Sequence, residues 1–185
     1  MSTRSICSAA LVAALLGGLW SPAALARGGR FQGAIHAVVD GDTLQVRDRG
    51  GRLREVRLAF IDAPEHDQLW GREAHEHLRR LALGAPATIE WREHDQYGRY
   101  VGVVWVSSPD MPCVGRADCP RNLDLGHAQI AAGLAWWYRA YAARQDPQAQ
   151  GQYAFSESEA RQRRIGLWHD AAPIPPWIWR HAERR

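Results

Sequence analysis

The chain has 185 residues, of which 46% are hydrophobic and 23% charged; 23 basic and 20 acidic side chains leave a formal net charge of +3. That length allows one domain, and the composition excludes a disordered, collagen-like or fibrous chain. A multi-span membrane protein is excluded because the one long uncharged apolar stretch is N-terminal, and three Cys are too few for a disulfide-built miniprotein. Every basic residue is Arg. Arg forks suit bidentate phosphate contacts, although biased codon usage is the simpler account of the missing Lys.

Residues 1–26 carry one charge, Arg4, and an apolar run over Ala9–Leu19 that Ser21-Pro22 breaks. Ala24-Leu25-Ala26 is a small-x-small cleavage signal. The pattern is that of a secretory signal peptide cut after Ala26, since the run is shorter than the about 20 residues a spanning helix needs. The expected mature chain is 27–185, and loss of Arg4 leaves it at +2. Export makes a Cys113–Cys119 disulfide plausible. Metal binding by this pair is disfavoured, because no nearby Cys or His completes a four-ligand set.

Phe31–Val39 and Thr43–Arg47 read as strands, and the turn at Asp48-Arg49-Gly50-Gly51-Arg52 leads into a third, Leu53–Ile61, with Val56, Leu58 and Phe60 on one face. Gly71–Leu83 spaces Ala74, Leu78 and Leu81 as a helix, which Gly84 ends. Ala87–Trp91 and Tyr100–Val106 are two more strands around a polar turn at His94–Arg99. Ser107–Arg121 is a Pro-containing loop holding the two Cys. Leu125–Trp137 and Gln148–Arg164 read as helices. The Pro- and Trp-rich tail, Ala171–Arg180, is expected to be extended and packed by its indoles. The pattern predicts an α+β, mainly β fold: a five-stranded closed barrel of OB type with three helices.

Two acidic clusters stand out. Asp40-Gly41-Asp42-Thr43 reads by itself as a tight hairpin corner. Asp62-Ala63-Pro64-Glu65 follows a strand, and Pro64 holds Ala63 extended, a geometry that can aim its carbonyl outward between two carboxylates. Together they offer oxygen ligands of the kind a hard cation such as Ca²⁺ takes, although no EF-hand spacing is present. Arg57 interrupts a barrel-wall strand, and Arg99 follows Tyr97-Gly98 at the start of another. Alone, each reads as a solvated charge. A metal, a carboxylate base and two Arg are the parts needed for attack on a phosphodiester.

Three segments resemble the motifs of the staphylococcal nuclease (thermonuclease) family, in that family's order: Val38-Val39-Asp40-Gly41-Asp42-Thr43, Val56-Arg57-Leu58-Ala59-Phe60-Ile61-Asp62-Ala63-Pro64-Glu65, and Asp95-Gln96-Tyr97-Gly98-Arg99. The similarity continues through Gly133-Leu134-Ala135 and Ser156–Ala160 to Gly166-Leu167-Trp168, about residues 31–170. The resemblance implies Ca²⁺-dependent hydrolysis of DNA and RNA to 3′-phosphates with little sequence specificity. It implies Asp42 and Asp62 as metal carboxylates, the Ala63 position as a carbonyl ligand, Glu65 as general base, and Arg57 and Arg99 as phosphate-binding groups. It further implies Asp40 as a support beside the metal site, and Tyr97 and Tyr141 as contacts to the nucleotide. The sequence departs from the family's pattern in four places. Ala63 replaces a Thr, the stretch Glu65–Gly71 is short and lacks Lys, the Cys113–Cys119 loop reads as an insertion, and the nucleotide-contacting aromatic positions after the second helix match loosely, with Trp136, Trp137, Tyr138 and Arg139 in that region.

Other residues fall to structural readings. His75 and His77 are two apart and do not face one partner, Glu73 and His77 form a surface pair, and Arg161, Arg163 and Arg164 make a solvated helix end. Besides an exported, monomeric nuclease of the periplasm or medium, two alternatives stand: a noncatalytic OB module for nucleic acid, and an envelope protein using its Trp-rich tail. Retention of Glu65, Arg57 and Arg99 argues against the first, because binding alone needs no base.

Overall fold

The computed structural model describes residues 28–116 and 118–182; the expected signal peptide lies outside them. Five strands alternate buried and exposed side chains and roll into a barrel: β1 (Gly29–Val38), β2 (Thr43–Asp48), β3 (Leu53–Leu58), and then β5 (Pro86–His94) and β6 (Tyr100–Val106), which follow a short β4 (Ile61–Asp62). The barrel strands run in the order β3-β2-β1-β5-β6, with the short Leu123–Asp124 strand added beside β6, and parallel pairing of Val56–Leu58 with Tyr100–Gly102 closes the barrel. Register shifts between Ile35 and Ala37 and between Trp91 and Glu93 bend the two long strands, as closure of a small barrel requires. Ile35, Leu44, Val46, Val56, Leu58, Ile89 and Val104 fill the interior at 2% exposure or less. Each contributes about 1.5–3 kcal/mol by leaving water.

Three main helices pack around the barrel. α1 (Gly71–Ala82) lays Ala74, Leu78 and Ala82 on the core at i, i+4, i+8. β7 (Leu123–Asp124) leads into α2 (Leu125–Ala131), whose first turn is capped by the Asp124 carboxylate at 2.9 Å from the Gly126 N–H and 3.3 Å from the His127 N–H. The Tyr153 hydroxyl donates to the same carboxylate at 2.8 Å and ties α3 (Pro147–Gln162) to α2.

The structure departs from the sequence reading in three elements. β3 stops at Leu58, because Phe60 takes a left-handed backbone (φ 67°) and turns the chain into β4. The helix expected over Leu125–Trp137 ends at Ala131. Gly133 (φ 67°) reverses the chain, and a Cβ there would lie 2.4 Å from the Ile165 carbonyl oxygen. Trp136-Trp137 then forms β8, paired with β4. Finally, the tail is not extended throughout: Pro176–Ala182 is a fourth helix, α4. Pro176 sits at its first position, where the missing N–H costs nothing and φ is already helical. The indole packing does occur, with Trp177 at 6.3 Å from Trp136 and 5.4 Å from Tyr138 between ring centroids.

Candidate active site

The β1–β2 corner holds the first acidic cluster. Asp40 accepts the Asp42 N–H at 2.9 Å, and Asp42 accepts the Ala63 N–H at 3.0 Å and the Thr43 hydroxyl at 3.1 Å. Gly41 lets this corner press on α1; a Cβ there would meet the Ala63 and Ala74 methyls at 2.7 and 2.8 Å. Buried Gln129 clamps the same contact by donating to the Gly41 carbonyl at 2.6 Å and the Ala74 carbonyl at 2.9 Å. His77 faces the Gln129 side-chain oxygen at 2.5 Å, so the expected His77–Glu73 surface pair is replaced by this inward contact. Burial, and then the neighbouring Asp42 charge, push the Asp40 carboxyl up to about 6.

The second cluster is aimed by β4. The left-handed Phe60 reorients the chain, and pairing of Asp62 with Trp136 fixes it. β8 is held in turn by buried Glu157, which accepts the Trp137 N–H at 3.1 Å and pairs with Arg139 at 2.6 Å. Arg57 alternates with core-facing Val56 and Leu58, so its side chain leaves the barrel. It meets two carboxylates rather than open solvent: Asp42 at 2.5 Å and Asp62 at 2.8 Å. Burial opposes its charge, but Asp42 and Asp62 outweigh that and hold the guanidinium well above its ordinary range.

Glu65 stands at the rim beyond Pro64. Its N–H donates to the Gln68 side chain at 3.2 Å, and Gln68 donates to the Ile174 carbonyl at 2.5 Å. Arg99 starts β6 and is held by Asp95 at 2.7 Å, with its guanidinium 5.3 Å from the Tyr97 ring centroid. Burial works against the Asp95 charge, yet its hydrogen bonds from Arg99 and the turn backbone lower its pKa overall. Tyr97 and Tyr141 are 71% and 45% exposed, leaving ring faces open to a ligand. Asp42, Arg57, Asp62, Ala63, Glu65, Tyr97, Arg99 and Tyr141 all line one cleft of about 740 Å³. Cys113 and Cys119 are bonded, with Cα atoms 5.3 Å apart, in a loop of which no described residue lines the cleft.

The donor set suits a hard cation: two buried carboxylates, a third at the rim, and oxygen rather than nitrogen or sulfur throughout. Among the described residues, no three acidic, His or Cys side chains converge at ligand spacing. Guanidinium groups lie between them: Arg57 bridges Asp42 and Asp62, and Arg180 bridges Asp62 and Glu65. A cation here would draw on Asp42, Asp62, the Ala63 carbonyl and water, the three residues all lining the cleft.

Arg180, Glu157 and Gln129 were not legible as site residues, whereas Tyr138, which lines the cleft, falls in the region of the family's nucleotide-contacting aromatic positions. The Arg180 contacts span 118 and 115 positions and come from a segment read as extended. The Pro175-Pro176 pair, with Pro favoured at a helix start, was the available signal. Arg161, Arg163 and Arg164 are exposed, as expected of a solvated helix end; Arg161 in addition stacks 3.8 Å from the Trp168 ring centroid, and Arg163 makes a surface pair with Glu159 at 3.2 Å.

The fold is thus a closed OB-type barrel with an acidic cleft flanked by Arg57, Arg99 and Arg180. The model of the family described as "Staphylococcal nuclease homologue" matches residues 55–170. A protein of Escherichia coli O157:H7 described as an uncharacterized endonuclease is 36% identical over 151 residues, covering 82% of this chain and 86% of the relative. A micrococcal nuclease of Shigella flexneri is 35% identical over 154 residues, 83% of each chain. Protein ParB of Escherichia coli is 35% identical over 150 residues, 81% of this chain and 79% of the relative. The chain belongs to the staphylococcal nuclease family, and as an enzyme it is a nuclease.

Proposed function

We propose that the chain is an exported, Ca²⁺-dependent, monomeric nuclease that cleaves DNA and RNA with little sequence preference and leaves 3′-phosphates. The observation that carries this reading is the convergence of Asp42, Asp62, Glu65, Arg57 and Arg99 on one cleft. A Ca²⁺ held by Asp42, Asp62 and the Ala63 carbonyl would neutralise charge at the scissile phosphate. Glu65 takes the proton of an attacking water, for which it must come within about 3 Å of that water. Arg57 and Arg99 fork onto the nonbridging oxygens and stabilise the charge that builds as the water attacks. Tyr97 and Tyr141 offer stacking faces that accept any base. Residues 1–26 direct export to the periplasm or medium; among the described residues no helix is long and apolar enough to cross a membrane.

The test is digestion of plasmid and single-stranded DNA and RNA by the mature protein, in Ca²⁺ and in chelator, with end-group analysis. Cleavage in Ca²⁺ alone, leaving 3′-phosphates, is the expected result; equal substrate survival in both conditions would refute the proposal. N-terminal sequencing of protein from cell fractions tests export, with Arg27 as the expected first residue.

A further inference from the structure

We infer that Arg180 is a third active-site arginine, a positioning residue that holds Asp62 and Glu65 and sets the affinity of the site for a divalent cation. Its guanidinium reaches the Asp62 carboxylate through both terminal nitrogens, at 2.7 and 3.2 Å, and Glu65 at 2.6 Å. It is therefore the group that connects the metal-type carboxylate to the candidate base. Arg57 makes the same kind of bridge one step further in, between Asp42 and Asp62. The four acids Asp40, Asp42, Asp62 and Glu65 and the two guanidiniums thus form one alternating array on the cleft wall.

The mount of Arg180 does not depend on these ion pairs. α4 is fixed by Trp177 against Trp136 and Tyr138, and the segment before it by the Gln68 bond to the Ile174 carbonyl and the Trp70 bond to Asp170 at 3.1 Å. Trp177 and Arg180 are three apart on α4 and so lie on neighbouring positions of one face. The helix thus delivers the guanidinium to the acids and keeps it there while the long side chain adjusts. With all four acids ionised, Arg57 and Arg180 leave a net charge of about −2 at the cluster, the complement of one divalent ion. Without Arg180 the deficit grows to about −3, and Glu65 loses the partner that fixes its carboxylate beside Asp62.

This inference rests on the reading of Asp62 as a cation ligand and Glu65 as the base. The experiment compares wild type, Arg180→Gln and Arg180→Lys by calorimetry with CaCl₂ alone, and by steady-state cleavage of single-stranded DNA. Arg180→Gln is expected to bind Ca²⁺ about tenfold more tightly, because a unit positive charge within several ångströms is removed. Its kcat should fall at least about tenfold while KM moves less, since Glu65 is no longer held in place. Arg180→Lys keeps the charge but not the fork, so it should retain the wild-type Ca²⁺ affinity and recover only part of kcat. Unchanged Ca²⁺ affinity and kcat in a folded Arg180→Gln protein would overturn the inference. Wild-type protein that neither binds Ca²⁺ nor cleaves would instead overturn the proposed function, and the two failures are separable in one series. α4 ends the described chain and Arg180 is one-third exposed, so Arg180→Gln should melt within a few degrees of wild type.

Discussion

Replacing Arg57 by Met should leave buried Asp42 without its ion-pair partner and Asp62 with Arg180 alone, and the cost is large enough to measure. Arg57 is 21% exposed, while its partners Asp42 and Asp62 are 5% and 1% exposed. Removing one partner of such a buried pair costs about 3–5 kcal/mol. Asp62 keeps Arg180, so the lower end, about 3 kcal/mol, applies. Set against a typical stability of about 5–15 kcal/mol, the variant should fold but unfold at lower denaturant. Ca²⁺ should reverse part of the loss, because a ligand at about 100 times its Kd stabilises by about 2.7 kcal/mol, and removing the Arg57 charge tightens cation binding. Urea unfolding followed by tryptophan fluorescence, in chelator and in saturating Ca²⁺, measures both quantities. The Ca²⁺-induced gain in Arg57→Met should exceed that in wild type, and cleavage should fall about 10²–10³-fold with the loss of a phosphate donor. Equal stability of the two proteins in chelator, with equal gains in Ca²⁺, would refute the reasoning.

Three further outcomes follow from the same geometry. Asp40 is held protonated up to about pH 6 by burial and Asp42, against 3.8 when unfolded, so its contribution to stability is full below 3.8 and lost as pH rises through 6. Asp40→Asn should therefore be more stable than wild type at pH 7 to 8 in chelator, by up to about 3 kcal/mol, with a flatter profile between pH 4 and 7; denaturant melts across pH check this. Glu157→Ala leaves the half-buried Trp137 N–H without its acceptor, so it should cost about 1–3 kcal/mol and lower activity by loosening β8 beside Asp62; an unchanged melting temperature would contradict this. Reducing the Cys113–Cys119 bond should cost about 2 kcal/mol and leave the cleavage rate unchanged, since no described residue of its loop lines the cleft; thiol titration before and after reduction, paired with a rate assay, decides it.

The barrel was legible in the sequence because its strands alternate and its turns carry Gly and Asp, both of which act over a few residues. Asp42, Asp62, Glu65, Arg57 and Arg99 were legible for a different reason: they fall in three motifs that resemble the staphylococcal nuclease family, whereas their local patterns alone read as turns and solvated charges. The kink at Phe60 was not legible, since a bulky residue at positive φ contradicts local preference and is held there by tertiary contacts, including the Tyr138 N–H at 2.8 Å from its carbonyl. The same holds for Gln129, whose side chain reaches Gly41 across 88 positions, and for Arg180, which reaches Asp62 across 118. No periodicity in the chain encodes contacts at such separations.

The central claim is that Glu65 activates water at a phosphate gripped by this cleft. A single-turnover comparison of wild type and Glu65→Gln on one labelled single-stranded DNA in Ca²⁺, with affinity measured on the same material, addresses it directly. The expected result is affinity within a few-fold of wild type and cleavage slowed about 10²–10⁴-fold. Cleavage by Glu65→Gln at the wild-type rate would contradict the account.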